Sequence, residues 1–576
     1  MRPPSMPLAL SLAQLNLTIG DLAGNIARMS AAARQAAATG AHIVIFPELS
    51  LTGYPPDDLL NEPAFLARLE LALAELLDAS RATPDLYWVA GAPTRRQGPG
   101  KALENSLLVL RNGKIVLQYA KQLLPTYDIF DERRYFEPGT ETAAVLEIGG
   151  ARIGFLVCED AWNDREQDYP VNPLARLAAE KPDLVITINA SPSNIGKREE
   201  RHALLAAASR RHKLPIVYVN QIGGHDQLIF DGASFAVAPG PGETASVVFE
   251  ATRFAEEIAT LHFAGGKFSD ANGKPLAPVP AAGLPAMAFY RRQIVLGLSD
   301  YARRCGFEKV VIGSSGGIDS ALTLALAAEA LGPANVVAIT MPSRFSSAGS
   351  VDDSATLCDA LGIRLFEHPI RDIVAAYEQG FSAAFDEPLK GLALENLQAR
   401  ARGTILMEYS NQFAALLLTT GNKSEISVGY CTLYGDTNGG LGLIGDLYKT
   451  EVFALSRHIN EAAGRELIPN AIIDKPPSAE LAPDQKDTDS LPPYPVLDTI
   501  LKILIEGERL SAEERDIVKA DYARLAETKS GAALIERIRR MIWKNEYKRR
   551  QAPPILRLRP RAFGNGRRMP IAAKYE

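Results

Sequence analysis

The chain has 576 residues, of which 47% are hydrophobic and 23% charged, with a net charge of −6. That length exceeds what one hydrophobic core organises and predicts at least two domains of roughly 100–200 residues each. The composition excludes a disordered chain, and the negative balance excludes whole-chain attraction to nucleic acid or anionic membrane. Four cysteines, Cys158, Cys305, Cys358 and Cys431, stand far apart with no CxxC pairing, against a zinc site or disulfide framework and in keeping with a reducing cytoplasm. The first residues carry one Arg and an apolar run broken by Gln14 and Asn16, so they do not read as a signal peptide. No apolar run approaches the roughly 20 residues that cross a bilayer.

From the N-terminus, strand-like and helical runs alternate through LALSLAQLNL, NIARMSAAARQAAA, AHIVIFPE and LYWVAGAP, an α/β pattern. In SLLVLRNGKIVLQYAK, Asn112 and Gly113 between two apolar runs predict a tight hairpin, so part of this sheet is antiparallel. Further strands are predicted in ARIGFLVCED, DLVITINAS, LPIVYVNQ and ASFAVAP. The alternation then fades into a stretch rich in Gly, Pro and Ala, which predicts a linker over 265–286 between an N-terminal domain, 1–264, and a C-terminal one, 287–576. The second half restarts with a helix over 290–304, then an apolar strand, a glycine and serine turn, an alanine-rich helix and the strand NVVAITMP, together a βαβ unit and a parallel sheet. Long helices are predicted over 392–418 and 511–547, and between them IIDKPPSAELAPDQKDTDSLPPYP predicts a loop crossing the surface, a candidate lid. Basic residues crowd 544–568, as either a phosphate-facing patch or a solvated tail. There is no internal repeat.

The turn of the second half comprises Gly313, Ser314, Ser315, Gly316, Gly317, Ile318, Asp319 and Ser320. Its glycines permit positive φ and close backbone approach, and the following helix offers free N–H groups and the positive end of its dipole. Without the lysine that grips a γ-phosphate, the cradle suits the pyrophosphate released when a carboxylate attacks an α-phosphorus, with Asp319 placed for Mg²⁺. A bare glycine pair would be an ordinary strand-to-helix turn; the flanking serines and Asp-Ser argue for an anion. The intact SGGxDS resembles the signature of the N-type ATP pyrophosphatase superfamily, and ENLQARARG, TTGNKSE, GYCTLYGD and DLYKTEVF are similar to its NAD synthetase branch over most of the second domain. That resemblance implies a Rossmann-like, doubly wound parallel sheet. It also implies ATP as a substrate on the 313–320 loop and Thr420, deamido-NAD at Asn396 and Glu425, and Mg²⁺ shared by Asp319 and Glu425. On looser spacing it implies Lys449 and Ser478 as further ATP contacts and Lys548 as a deamido-NAD contact. The plain alternatives are a surface acid at Glu425 and solvated lysines at Lys449 and Lys548.

In the first half, RIGFLVCEDAW ends an apolar strand at Cys158, where the next turn exposes a side chain for use as a nucleophile. A lone cysteine there would be packing. But AHIVIFPE also ends at a carboxylate, Glu48, and VLQYAK carries Lys121 directly after a hairpin strand, so three strand ends can converge on one face. Thiolate is the nucleophile, so Glu48 as general base takes the proton of Cys158, and Lys121 stabilises the thiolate and the oxyanion of the tetrahedral intermediate. In order and flanks, these residues resemble the Glu-Lys-Cys triad of the nitrilase, or carbon-nitrogen hydrolase, superfamily. The resemblance implies an α-β-β-α sandwich and a glutaminase whose amide substrate is held by Tyr127, Ser191 and Lys197, with Tyr54 and Glu159 as pocket neighbours.

Together the two resemblances imply that ammonia released from glutamine amidates deamido-NAD through an adenylate, giving glutamate, NAD, AMP and pyrophosphate. The substrates are then glutamine, deamido-NAD and ATP, with Mg²⁺ and no prosthetic group, and with neither nucleic acid nor membrane as a partner. An enclosed ammonia path is expected, because ammonium has no lone pair with which to attack, and the glutaminase branch implies a homo-oligomer. Three other readings remain: an amidotransferase acting on another carboxylate, an ATP-binding module that regulates or recruits a simple amidase, and nucleic-acid binding through the basic end.

Overall fold

The structure is a computed structural model that describes residues 7–140, 143–165, 168–478, 480–482 and 485–574. The chain divides into two compact units: residues up to Gly223 with Phe230–Gly283, and Gly224–Ile229 with the residues from Leu284 on. Among the described residues no helix is long and apolar enough to cross a membrane.

The strands of the first half are β1 (Leu8–Gln14), β2 (Ile43–Ile45), β3 (Tyr87–Arg95), β4 (Leu103–Arg111), β5 (Lys114–Ala120), β6 (Val145–Ile148), β7 (Ala151–Val157), β8 (Leu184–Asn189), β9 (Ile216–Asn220), β10 (Ile222–His225), β11 (Leu228–Asp231), β12 (Phe235–Pro239), β13 (Ala245–Glu250), β14 (Glu257–Ala264) and β15 (Lys267–Ser269). They form a seven-stranded sheet in the order β15-β14-β1-β2-β3-β4-β5, a six-stranded one in the order β13-β12-β9-β8-β7-β6, and the short β10-β11 pair. Leu10, Leu12, Ile43 and Ile45 of the first sheet and Phe155, Ile186, Val217 and Phe235 of the second belong to one apolar core. Outside lie α1 (Leu22–Ala38) and α2 (Pro63–Ala79) on one side, and α3 (Pro173–Ala179) and α4 (Lys197–His212) on the other, with α1 on β2 and β14 and α4 on β12 and β13. Strands β8 and β9 are buried on both faces, which explains why LVITIN and IVYVN read as unbroken apolar runs. The unit is thus an α-β-β-α sandwich. Asn112 (φ 47°) and Gly113 (φ 77°) make the hairpin between β4 and β5, both in the left-handed region that such a turn requires. The stretch predicted as a linker opens differently, because β15 pairs with β14 and extends the first sheet.

In the second unit, β16 (Lys309–Gly313), β17 (Val336–Thr340), β18 (Arg364–Glu367), β19 (Ala415–Thr419) and β20 (Leu441–Gly442) make an all-parallel sheet in the order β18-β17-β16-β19-β20. Its helices are α5 (Ala286–Cys305), α6 (Ile318–Leu331), α7 (Ala348–Leu361), α8 (Arg371–Phe385), α9 (Leu392–Phe413), α10 (Lys423–Val428), α11 (Lys449–Ala463), α12 (Asn470–Asp474), α13 (Tyr494–Ile505), α14 (Ala512–Ala526), α15 (Lys529–Lys544) and α16 (Glu546–Arg549). Two helix predictions need correction. The run 392–418 breaks at Ala414 (φ 48°), after which ALLLT is buried strand β19; a short apolar run at the sheet centre does not differ from a helix segment by periodicity. The run 511–547 is three helices, parted where the side chain of Thr528 caps α15 by accepting from Gly531 N. The predicted loop begins on the last turn of α12 and includes a single turn at Asp487–Asp489, and its residues 479, 483 and 484 lie outside the described ones.

Three arginines of the basic end fit neither of the two alternatives the sequence left open. Arg559, 1% exposed, donates to Glu506 (2.9 Å), Glu514 (2.8 Å) and Tyr290 (2.8 Å), and Arg549 and Arg567 both pair with Glu546. These cations are turned inward onto carboxylates that sequence patterning gives no means of pairing with them.

Candidate active sites

In the first unit the three strand ends converge. Strand β7 ends at Val157, and Cys158 follows with φ 44°, a left-handed conformation that a non-glycine residue holds only where its surroundings impose it. Asp160 supplies part of that constraint: its carboxylate accepts from Gln122 N (3.0 Å), Leu123 N (2.8 Å) and the Tyr119 hydroxyl (2.9 Å), tying the turn after Cys158 to the segment around Lys121. Burial pushes the Asp160 carboxyl up to about 7.

Lys121 donates Nζ–H to Glu48 Oε1 (2.8 Å) and to both oxygens of Glu132 (2.8 and 2.9 Å). Asn105 donates to the same Glu48 oxygen (2.7 Å), and the other accepts from Ala190 N (3.1 Å), so the carboxylate is fixed on both sides. The close approach of this loop requires Gly91 on β3, where a Cβ would lie 2.2 Å from Leu49 N. Burial pulls the Lys121 ammonium down, yet Glu132 and Glu48 overcome it and hold the group well above its ordinary value. Burial raises Glu132 and Lys121 lowers it, leaving it near 7. Burial, then the charge of Glu48, push the Cys158 thiol well up, so loss of its proton needs an adjacent base and a cation to hold the thiolate.

Beside Cys158, Glu159 accepts from the hydroxyls of Tyr127 (3.0 Å) and Tyr169 (3.0 Å), and burial raises its carboxyl. Lys197 lies over the Trp162 ring at 4.1 Å and donates to Glu200. Ser191 is fixed by Arg201, which donates Nε–H to its Oγ (3.1 Å), and by its own N–H to Asn220 (2.9 Å). Tyr54 donates to Glu132 (2.8 Å). Sequence reasoning missed Glu132, Asn105 and Asp160. Glu132 stands in DERR, a charge run that reads as a solvated face, and nothing local marks it as buried.

In the second unit, the 313–320 loop leaves β16 and enters α6. Gly316 (φ 72°) is obligatory, because a Cβ there would lie 2.4 Å from Ser350 O. Ser315 and Ser320 bond each other (3.1 Å), and Ser320 donates to Gly317 O (3.0 Å), so the serines brace the loop itself. Asp319 Oδ1 accepts from Asn422 (2.9 Å) at the start of α10, and Asn422 and Glu425 form a reciprocal capping box. Lys449 Nζ bridges Asp319 and Glu425, the latter at 3.2 Å. Burial and the neighbouring Asp319 raise Glu425 against the pull of Lys449, to about 8.

Two cavities, of about 270 and 140 Å³, adjoin this cluster. Ser315, Asp319, Glu425 and Ser478 line both, Thr420 only the larger, and Lys449 only the smaller. Asn396 lines neither but accepts from Thr432 (2.8 Å), which does line the larger. Lys548 lines neither; its Nζ donates to Gly429 O (2.8 Å) and Cys431 O (2.7 Å), bracing the turn after α10. Asn422 went unread in the sequence, although its place three residues before Glu425 is the spacing of a capping box. Among the described residues no group of three or more His, Cys, Asp or Glu is arranged to hold a metal. The adjacent carboxylates of Asp319 and Glu425 are hard oxygen donors at a cavity wall, a donor set that fits Mg²⁺ sharing its other positions with water and phosphate oxygens.

Comparison with known proteins separates the same two regions. Residues 9–264 match the family model described as carbon-nitrogen hydrolase, and residues 290–552 the one described as NAD synthase. A glutamine-dependent NAD(+) synthetase of Synechocystis is 43% identical over 577 residues, covering 98% of this chain and 99% of its own, and one of Xanthomonas campestris is 41% identical, covering 99 and 98%. Among solved structures, the glutamine-dependent NAD+ synthetase of Acinetobacter baumannii in complex with ADP is 36% identical, with a TM-score of 0.74 and 98% of each chain covered.

Proposed function

The chain belongs to the glutamine-dependent NAD(+) synthetase family, and we propose that its two sites divide that reaction between them. In the first unit Glu48 takes the proton of Cys158, and the thiolate attacks the side-chain amide carbon of glutamine. Lys121 stabilises the oxyanion, Glu48 gives its proton to the leaving nitrogen, the C–N bond breaks with release of ammonia, and a thioester remains on Cys158. Water deprotonated by Glu48 attacks the thioester, freeing glutamate and restoring the thiol. Glu132 shares the charge of Lys121, so Glu48 does not carry that pairing alone. Tyr127, Ser191 and Lys197, with Glu159, hold the substrate beside the nucleophile.

In the second unit the nicotinate carboxylate of deamido-NAD attacks the α-phosphorus of ATP and pyrophosphate leaves. The N–H groups of the 313–320 loop and α6 neutralise the departing charge, with Thr420, Lys449 and Ser478 as further ATP contacts. Asn396, Glu425 and Lys548 serve the deamido-NAD side. Mg²⁺, when held by Asp319 and Glu425, supplies electrostatic stabilisation of the phosphates. Ammonia then attacks the carbonyl carbon of the adenylate, AMP leaves, and NAD is formed. The supporting observation is that one chain holds both a buried Lys121 between two carboxylates beside Cys158 and a glycine turn facing the Asp319–Lys449–Glu425 cluster. We place the enzyme in the reducing cytoplasm, where its four cysteines, all free, stay reduced, and we expect a homo-oligomer, which light scattering reads.

The test is Cys158→Ala. Synthesis supported by glutamine is expected to vanish while synthesis supported by ammonium persists; equal loss of both would overturn the division of labour. With amide-labelled [¹⁵N]glutamine and excess unlabelled ammonium at neutral pH, wild-type NAD is expected to carry the label, and unlabelled NAD would mean that the ammonia equilibrates with bulk water before use.

A further inference from the structure

Lys449 is the first residue of α11, and its ammonium reaches the cluster only while the start of that helix stays where it is. A helix does not fix its own start, because its first N–H groups have no partner within it. Here those groups are met from outside. Lys449 N donates to Ser424 Oγ (2.9 Å) and Thr450 N to Asp498 Oδ2 (2.9 Å), while the Ser424 hydroxyl donates to the other oxygen of Asp498. Asp498 is buried on α13, which packs against both α10 and α11. Among the described residues Asp498 forms no ion pair. A carboxylate withdrawn from water on those terms is costly unless hydrogen bonds meet it, and both of its oxygens are spent on this one junction.

The junction joins the two elements that carry opposite charges of the cluster. Ser424 precedes Glu425 on α10, a helix of six residues that is too short to hold itself by its own hydrogen bonds, and whose cap Asn422 donates to Asp319. Lys449 opens α11, and its Nζ bridges Asp319 and Glu425. One turn before Asp498 on α13, the ring of Tyr494 lies 5.1 Å from the same Nζ. Helix α13 thus holds Lys449 at both ends, its backbone through Asp498 and Ser424 and its ammonium over Tyr494. The precision matters, because misplacing a group that must meet a developing charge by about 1 Å can cost roughly 10²-fold in rate.

We propose that Asp498 is a positioning residue for the synthesis: through Ser424 it fixes the first turn of α11, so that the Lys449 ammonium meets the phosphates of ATP. The inference rests on the reading of Lys449 as an ATP contact. It is tested by a double-mutant cycle in the full-length chain, with Asp498→Asn, Lys449→Met and the two together, read as synthesis from ammonium. Asparagine keeps the shape and one acceptor. Asp498→Asn is expected to lower kcat by roughly tenfold and to leave KM for deamido-NAD as it was, but to lower kcat no further once Lys449 is methionine. The urea midpoint should fall in both backgrounds, because the backbone N–H groups of α11 are present in both. A loss of kcat by the same factor in both backgrounds would overturn the inference, since Asp498 would then serve the fold and not Lys449. So would an unchanged kcat in Asp498→Asn. If Asp498→Asn does not fold, Ser424→Ala, which leaves the Thr450 contact in place, carries the same cycle with the same expectations. If the wild type makes no NAD from ammonium, or Lys449→Met makes it at the wild-type rate, it is the reading of the site that fails, and this inference with it.

Discussion

In each unit a lysine ammonium lies between two carboxylates, but the two clusters are open to different degrees. Lys121 reaches Glu48 and Glu132 at 2.8 Å each, with side chains 0, 0 and 6% exposed. Lys449 reaches Asp319 and Glu425, whose side chains are 20 and 17% exposed and border a cavity. The first cluster has almost no partner left to exchange: Asn105 and Ala190 N occupy the remaining faces of Glu48, and Tyr54 donates to Glu132. It is built to move one proton at a fixed place. The second cluster can trade partners, because a polyanion entering the cavity competes for Lys449 and a divalent cation competes for Asp319 and Glu425. Closed geometry suits chemistry on a neutral amide, and open geometry suits a substrate that brings its own charges and counter-ions.

The comparison breaks most visibly at the closed cluster. Lys121→Met would leave two buried carboxylates facing each other without a cation, and removing one partner of a buried pair costs about 3–5 kcal/mol. Glutaminase turnover is expected to fall by roughly 10³-fold or more, as for loss of an essential proton-transfer and oxyanion group, with a matching drop in the urea midpoint of the first unit. Lys449→Met tests the open cluster. Because the side chains of Asp319 and Glu425 are partly exposed, although Lys449 itself is buried, the stability loss should be smaller than that of Lys121→Met, while synthesis from ammonium falls by roughly 10²-fold through lost charge stabilisation. A stability loss as large as that of Lys121→Met would remove the distinction between the clusters.

A third, smaller effect sharpens it. Glu132 sits near 7, raised by burial and lowered by Lys121. As pH falls through that value Glu132 gains a proton and Lys121 keeps only Glu48 as counter-charge, so Glu48 is held to the cation and is less free to accept from Cys158. Glutaminase kcat/KM is therefore expected to fall on the acid side of about pH 7. Glu132→Gln should remove this limb and hold the rate low, by roughly tenfold at pH 8, the low end of what one group of a proton-transfer site contributes. A limb near 7 that persists in the variant would assign the titration elsewhere.

How much of this was legible in the sequence differs between the sites for the same reason. The residues at strand ends, Glu48, Lys121 and Cys158, and the glycine turn stand at breaks in apolar periodicity, and such breaks are visible one segment at a time. The residues that complete each site are not. Glu132 lies in a charged run, and Asn105 inside the apolar strand β4. Their role depends on which distant element they face, and local pattern carries no such information. The same limit explains the basic end, where Arg559 finds Glu506, just past α13, and Glu514 on α14. It also explains β19, hidden behind α9 because a fully buried parallel strand lacks the alternation that marks strands elsewhere.

The smallest expected effect concerns the neighbours of Cys158. Glu159 accepts from two hydroxyls at the same 3.0 Å, Tyr127 and Tyr169, so as donors to Glu159 they are equivalent. They differ in what the resemblance assigns: Tyr127 to the glutamine pocket, Tyr169 to nothing. If both only steady Glu159, Tyr127→Phe and Tyr169→Phe should raise KM for glutamine equally, by roughly 2- to 10-fold for one lost hydrogen bond, with kcat nearly unchanged. If Tyr127 also meets the substrate, as its half-exposed ring would allow, Tyr127→Phe should exceed Tyr169→Phe. Equal single effects would remove Tyr127 from the pocket and leave substrate recognition there to Glu159 itself.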